Sequence, residues 1–71
     1  MCNLAKLRGK MVEEGVTQEA LADSLNIDRS TINRKMTGKA SFTVGEAEKI
    51  SIFLRLSKED SVSIFLPSMS Q

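Results

Sequence analysis

Residues 17–39, TQEALADSLNIDRSTINRKMTGK, decide the fold of this chain. The first half of this stretch carries apolar side chains with the spacing of one helix face, namely Leu21, Ala22 and Leu25. The second half has two apolar side chains four residues apart, Ile32 and Met36. We therefore expect two short helices here, each with one buried face.

The residues between and after these helices indicate where each helix begins and ends. Asn26 tolerates the left-handed backbone conformation that closes a helix, and Gly38 can do the same after the second helix. Asp28 is a favoured N-cap for the second helix. Ile27 is a lone apolar residue in the turn, and we expect it to fill the corner between the two helices. Together these signals predict a helix-turn-helix, two helices at a steep angle joined by a tight turn.

The charges distinguish the two helices. Residues 13–28 contain five acidic side chains and no basic one, whereas residues 29–39 contain four basic side chains and no acidic one. The second helix also carries small polar side chains from Ser30, Thr31 and Asn33. A cationic helix with such an outer face suits the major groove of DNA. The net charge of +1 is low for a DNA-binding protein, but a local patch of cations matters more than the total.

Length and composition set limits on the function. A chain of 71 residues forms one small domain, near the size at which a single core is only just sufficient. No apolar run reaches the ~18 residues of a membrane span, and the N-terminus lacks the apolar core of a signal peptide. The single cysteine, Cys2, cannot form an internal disulfide, and we interpret it as a small apolar residue. There is no histidine, and the acidic side chains show no metal-ligand or catalytic spacing, so we predict neither an enzyme nor a cofactor.

Two further helices are well signalled on either side of this unit. Asn3 can cap a first helix over residues 4–14, and Gly15 can end it. The apolar stripe of that helix consists of Leu4, Leu7, Met11 and Val12. Thr43 and Glu46 have the spacing of a capping box, which predicts a fourth helix over residues 44–56.

The last segment allows two interpretations. Residues 61–66 alternate between apolar and small polar side chains in a way that fits a strand as well as a helix. We favour a fifth helix over residues 58–66, because Ser57 can cap it. Pro67 predicts the end of that helix. We therefore expect a single domain over residues 1–66 and a flexible tail over residues 67–71.

Most of the chain resembles the Cro and repressor type of helix-turn-helix domain found in phages, the xenobiotic-response-element-like family. The most specific part of the resemblance is Thr17-Gln18-x-x-Leu21-Ala22, followed by residues 26–34 and by Gly38-Lys39. The later residues 42–50 look like the small Cro-like regulators of phages from Gram-positive bacteria. The resemblance implies an all-α fold, a compact bundle of about five short helices like the lambda-repressor DNA-binding domain. It also implies binding to double-stranded operator DNA, commonly as a homodimer, in the cytoplasm of a bacterial host cell.

The resemblance places the DNA contacts on and around the second helix of the motif. The residues at the family's base-contacting positions are Arg29, Ser30, Asn33 and Arg34. Those expected to contact phosphates are Gln18, Lys35, Thr37 and Lys39. Side-chain chemistry agrees, because arginine can donate two hydrogen bonds to a guanine and asparagine can pair with an adenine.

We therefore predict a sequence-specific transcriptional regulator, a Cro-like repressor of a phage genetic switch. A protein-interaction module is the alternative, namely an antirepressor or modulator that binds a companion repressor protein. The low net charge and a surplus of apolar residues favour this alternative, and the candidate interface residues are Ile52, Phe53, Ile64 and Phe65. An antitoxin is a third hypothesis, because such proteins reuse this domain.

Overall fold

Five α-helices follow one another in the predicted order in a computed structural model that describes residues 2–69, with side chains through Leu66. They are α1 (Leu4–Glu14), α2 (Gln18–Leu25), α3 (Arg29–Met36), α4 (Val44–Phe53) and α5 (Lys58–Met69). The described residues contain no strand, so the fold is the all-α bundle that the sequence predicts. The segment with two interpretations, residues 61–66, is helical. None of these helices is long and apolar enough to cross a membrane.

The predicted caps start the helices. The side chains of Asn3, Thr17, Asp28 and Thr43 each accept a hydrogen bond from the backbone N–H three residues further along. At α4 the Glu46 carboxylate also accepts from the Thr43 N–H at 2.9 Å, which completes the predicted capping box. The Ser57 hydroxyl accepts from the Asp60 N–H at 3.0 Å at the start of α5. Caps of this kind each stabilise a helix by about 1 kcal/mol, so local chemistry fixes where each helix begins.

A residue in the left-handed conformation lies within two residues of the end of each of the first four helices. These residues are Gly15, Asn26, Gly38 and Arg55, with φ of 67°, 56°, 84° and 55°. At each end the next residue donates its N–H five positions back, as Leu56 does to the Ser51 carbonyl at 2.9 Å. This pattern is the Schellman motif, which satisfies carbonyls that the helix leaves open. The prediction that α4 reaches residue 56 is wrong, because arginine gives no sequence signal for a left-handed helix end.

Arg55 is the one of these four residues whose side chain disfavours its backbone conformation, and we expect Arg55→Gly to raise the free energy of unfolding. The left-handed conformation costs a non-glycine residue about 1–2 kcal/mol, and glycine avoids this cost. The greater freedom of glycine in the unfolded chain offsets part of the resulting gain in stability. A net gain of about 1 kcal/mol should appear as a higher urea midpoint. Arg55→Ala is the control, because it removes the same side chain and keeps the strain. Equal midpoints for the two variants would contradict the prediction.

The core lies between all five helices. α2 packs against α3 and α4, and α5 packs against α1 and α4. The fully buried large side chains are Leu7, Leu21, Ile32, Met36, Ile50, Leu54 and Ile64. Ile27 packs against this core from the turn, as predicted, and Cys2 does so from the N-terminus. Val12 is 80% exposed, so its assignment to the buried stripe of α1 is wrong.

Helix α5 extends beyond the predicted limit. It continues through Pro67 to Met69, so the prediction that Pro67 ends the helix is wrong. The fixed φ of proline is compatible with helical backbone, and its missing N–H removes one hydrogen bond. The prediction of a flexible tail also concerns residues 70 and 71, which lie outside the described residues.

Two lysines of α1 hold α5 through one carboxylate. Lys10 Nζ lies 2.9 Å and Lys6 Nζ lies 3.3 Å from the Asp60 carboxylate oxygens. Lys6 Nζ also donates to the Ser63 hydroxyl at 3.0 Å. The hydrogen bonds from Lys10 and then Lys6 lower the pKa of Asp60 below its ordinary value of 3.8. Lys6 and Lys10 are therefore engaged within the fold.

The contacts of Lys6 and Lys10 with Asp60 predict that the free energy of unfolding decreases in acid. A carboxyl whose pKa is lowered in the folded protein stabilises the fold above its unfolded pKa, and that contribution is lost as pH falls through the folded pKa. We expect Asp60→Asn to be less stable than the wild type at pH 7, with the gap in urea midpoint closing as pH falls below 3.8. Glu13→Gln removes a carboxylate that is 64% exposed and serves as the control. A gap for Asp60→Asn that stays constant down to pH 2 would contradict the prediction.

Candidate nucleic-acid interface

Helix α3 turns one face to the core and the other to solvent. Ile32 and Met36 are 0% and 1% exposed, so they fix the orientation of the helix. The predicted base-contacting residues all lie on the exposed side, namely Arg29, Ser30, Asn33 and Arg34. Arg29 and Asn33 are four residues apart, as are Ser30 and Arg34, which places all four on one broad helix face. The structure thus brings together the four side chains that the sequence analysis assigns to bases.

Three of the four predicted phosphate contacts lie at the edges of this face. Gln18 is the first residue of α2 and is half-buried. Thr37 and Lys39 follow α3 and are exposed. The Thr37 hydroxyl donates to the carbonyls of Asn33 and Arg34 at 2.9 and 3.2 Å, so its oxygen can still accept a hydrogen bond. Gln18 thus lies at the start of the helix-turn-helix, and Thr37 and Lys39 lie at its end.

Lys35 points away from this face. Its Nζ lies 2.6 Å from Glu46 Oε1 and 3.1 Å from the Ser41 carbonyl oxygen, and it is 5.8 Å from the centre of the Phe42 ring. The Lys35 and Glu46 side chains are only 11% and 17% exposed. Lys35 therefore ties α3 to the start of α4, and this geometry does not favour a phosphate contact by Lys35.

Glu46 is held in its charged form at this junction. Burial raises the pKa of its carboxyl, but hydrogen bonds from Lys35 and from the Thr43 N–H outweigh that effect and lower the pKa below 4.5. The same carboxylate oxygen accepts both hydrogen bonds. One side chain therefore caps α4 and anchors α3. The Thr-x-x-Glu spacing predicts the cap, but nothing in the sequence marks the anchor.

A second tie joins α1 to the far end of α3. The Arg8 guanidinium donates to the carbonyl oxygen of Met36, the last residue of α3. Helix C-termini carry partial negative charge, so a cation is favourable there. Sequence analysis did not identify this contact, because the spacing of Arg8 shows only that it lies on the surface of α1. Together with Lys35, Arg8 fixes the C-terminal end of α3.

The first turn of α3 carries an unusual combination of charges. Asp28 is the N-cap, and hydrogen bonds from Thr31 and then Ser30 lower the pKa of its carboxyl. Arg29 follows directly, and its Nη2 lies 2.7 Å from Glu19 Oε2 in the first turn of α2.

Within the part of the chain that the structure describes, Arg34 makes no ion pair. Arg34 is therefore exposed to solvent without a charged partner among the described residues.

A separate apolar surface lies on α4 and α5. An open groove of about 340 Å³ runs between α4 and α5 and is lined mainly by apolar side chains, among them Val44, Ile52, Val62 and Leu66. Ile52 is 78% exposed, and Phe53 beside it is 41% exposed. Ile64 is 0% exposed, so its assignment to an interaction surface is wrong. Phe65 is only 3% exposed, but it forms part of the lining of the groove. They pack into the core because the helical spacing of α5 turns them towards α1 and α4.

Nothing in the described residues suggests catalysis. No group of three or more histidine, cysteine, aspartate and glutamate side chains in that part of the chain could hold a metal ion. Burial raises the pKa of the Cys2 thiol, which disfavours the reactive thiolate. The exposed donors of α3 instead have the chemistry of base and phosphate recognition.

The helix-turn-helix family of the Cro/C1 type matches the chain over residues 4–60. Neither a curated protein nor a solved structure is significantly similar to it. The matched region contains α1 to α4 and the start of α5, and so includes the whole candidate interface. The chain belongs to the Cro/C1-type helix-turn-helix family of DNA-binding transcription regulators.

Proposed function

We propose that the protein is a Cro-like repressor of a phage genetic switch, which recognises operator half-sites with α3. The observation that supports this proposal best is the exposed face of α3, which carries two arginines, one asparagine and one serine on a helix whose C-terminal end is anchored by Arg8 and Lys35. Rigid placement matters, because a base contact needs donors held in a defined geometry. Repression then follows from occlusion of a promoter by the bound protein.

Each side chain of the interface has a proposed role. Arg34 and Arg29 donate to O6 and N7 of guanines, and Asn33 pairs with an adenine. Ser30 donates to or accepts from a base edge. The phosphates are held by Gln18, Thr37 and Lys39, which flank the helix and set its register on the duplex. Phosphate contacts supply affinity for any sequence, whereas the base contacts supply the specificity.

We further propose that the protein binds as a homodimer, with a second copy covering the apolar groove between α4 and α5. One α3 helix contacts a single half-site, and two copies would contact half-sites about one helical turn, ~34 Å, apart. Exposed Ile52, Val62 and Leu66 give this groove a mainly apolar lining that is accessible to a second copy. A contiguous exposed apolar patch commonly marks a site of interaction with another protein.

The first experiment selects a site from a pool of randomised DNA duplexes and then titrates the enriched duplex at two salt concentrations. A regulator of this kind should enrich a palindromic sequence and bind it with a steep salt dependence. The double variant Arg29→Ala/Arg34→Ala should lose that preference while it retains its helical content. A well-folded wild type that enriches no sequence would contradict the proposal.

The same preparation tests the homodimer. Sedimentation of the wild type and of Ile52→Glu, with and without the selected duplex, should show two copies per palindrome for the wild type and one copy for the variant. The alternative, a modulator that binds a companion repressor protein, predicts instead that the apolar groove binds that repressor and not a second copy of this chain. A monomer on DNA whose Ile52→Glu variant behaves like the wild type would show that a second copy does not cover the groove.

A further inference from the structure

The ion pair between Glu19 and Arg29 joins the two helices of the motif at their exposed N-terminal ends. Arg29 Nη2 and Glu19 Oε2 are 2.7 Å apart, and the two side chains are 82% and 68% exposed. Glu19 is the second residue of α2 and Arg29 is the first residue of α3. The pair therefore lies at the start of the exposed face of α3, and its two residues directly follow Gln18 and the N-cap Asp28 in the sequence.

Stability does not account for this pair. An exposed ion pair contributes little to stability, because water screens the attraction and both side chains lose freedom. Arg29 also sits at the N-terminus of a helix, where the partial positive charge of the backbone disfavours a cation. A long, exposed arginine at such a position would otherwise move away from the helix end. Glu19 supplies the negative charge that keeps the guanidinium in place.

The chemistry of the two groups decides what the pair can bind. A guanidinium has five N–H donors, so an arginine that gives one of them to a carboxylate keeps donors for a second acceptor group. Guanine offers two adjacent acceptors, O6 and N7, at the major-groove edge. A phosphate is a poorer partner, because its negative charge would lie next to the Glu19 carboxylate. The pair thus favours a neutral base edge over the DNA backbone.

We infer that Glu19 is a positioning residue for DNA specificity, which orients the Arg29 guanidinium towards a guanine and keeps it from the phosphates. This inference rests on the proposed function. It assigns a role in sequence recognition to an acidic side chain that itself contacts no base. Wild-type Arg29 then adds specificity at one base pair but little to the sequence-independent affinity.

The test compares Glu19→Gln with the wild type on the duplex selected in the first experiment. The base pair that Arg29 contacts is found first, as the position where Arg29→Ala no longer distinguishes the four bases. At that position we expect Glu19→Gln to lose at least fivefold in discrimination. Affinity for an unrelated duplex should rise, and the plot of log affinity against log salt should steepen by about 0.9 per copy, the slope of one added phosphate contact.

Asp23→Asn is the matched control, because it removes the same charge from the same helix one turn further on. Asp23 is exposed and belongs to none of the ion pairs of the described residues. Equal effects of Glu19→Gln and Asp23→Asn on discrimination would overturn the inference, since they would reduce Glu19 to a general charge effect. An unchanged discrimination in Glu19→Gln would overturn it as well. A wild type that selects no sequence would instead overturn the proposed function, and the role of Glu19 with it.

Discussion

Arg34→Ala should lower the affinity of the protein for its operator by roughly 1–3 kcal/mol for each half-site. In a homodimer both copies lose the contact, so the combined loss is about 2–6 kcal/mol, which exceeds a tenfold change even at its lower limit. The reason is geometric. Arg34 is exposed on α3, makes no ion pair within the described residues, and belongs to a helix anchored by Arg8 and Lys35. Its guanidinium is the strongest candidate for a two-pronged contact with guanine.

The measurement is a titration of the selected duplex and of duplexes with single base-pair changes, all at one salt concentration. A base contact predicts that Arg34→Ala weakens binding to the selected site and equalises the four bases at one position. Arg55→Ala removes an exposed arginine at the end of α4 and should leave that preference intact. Uniform weakening of Arg34→Ala on every duplex would instead assign Arg34 to a phosphate.

Helix starts were predictable from the sequence because each depends on a contact three residues away. Asn3, Thr17, Asp28 and Thr43 all bond within their own first turn, so residue type and spacing suffice. Helix ends were predictable only where glycine or asparagine marks the left-handed residue. At Arg55 the chain takes that conformation because Leu54 is buried in the core, at 1% exposure, and the packing overrides the local preference.

The candidate site was predictable in the same uneven way. The exposed face of α3 follows from the positions of Ile32 and Met36, since the period of a helix fixes which residues are opposite the core. The ion pair of Arg29 with Glu19 and the tie of Lys35 to Glu46 join residues ten and eleven positions apart. Both depend on how two helices are placed relative to each other. Spacing along the chain carries no information on that placement, so charge alone made Lys35 resemble a phosphate contact.

Lys35→Met should lower the free energy of unfolding by about 2 kcal/mol. It leaves the Glu46 carboxylate, which is 17% exposed, without its charged partner. Removing one member of a fully buried pair costs ~3–5 kcal/mol, and the residual contact with water here reduces that penalty. Methionine keeps most of the packing against Phe42, so the loss reports on the charge. Urea denaturation measures it, and adding Glu46→Gln to the variant should restore part of the stability, because no unpaired carboxylate then remains.

Lys39→Met is the matched variant for the other role of a lysine. Lys39 is exposed and lies just beyond α3, so its removal should change stability by less than ~0.5 kcal/mol. Its loss should instead flatten the dependence of log affinity on log salt by about 0.9 for each copy of the protein on DNA. Lys35→Met should leave that slope unchanged, provided that denaturation shows the variant to be folded under the binding conditions. The two variants thus distinguish a lysine that holds α3 in place from a lysine that contacts DNA. A flattened slope in Lys35→Met together with unchanged stability would assign Lys35 to a phosphate after all.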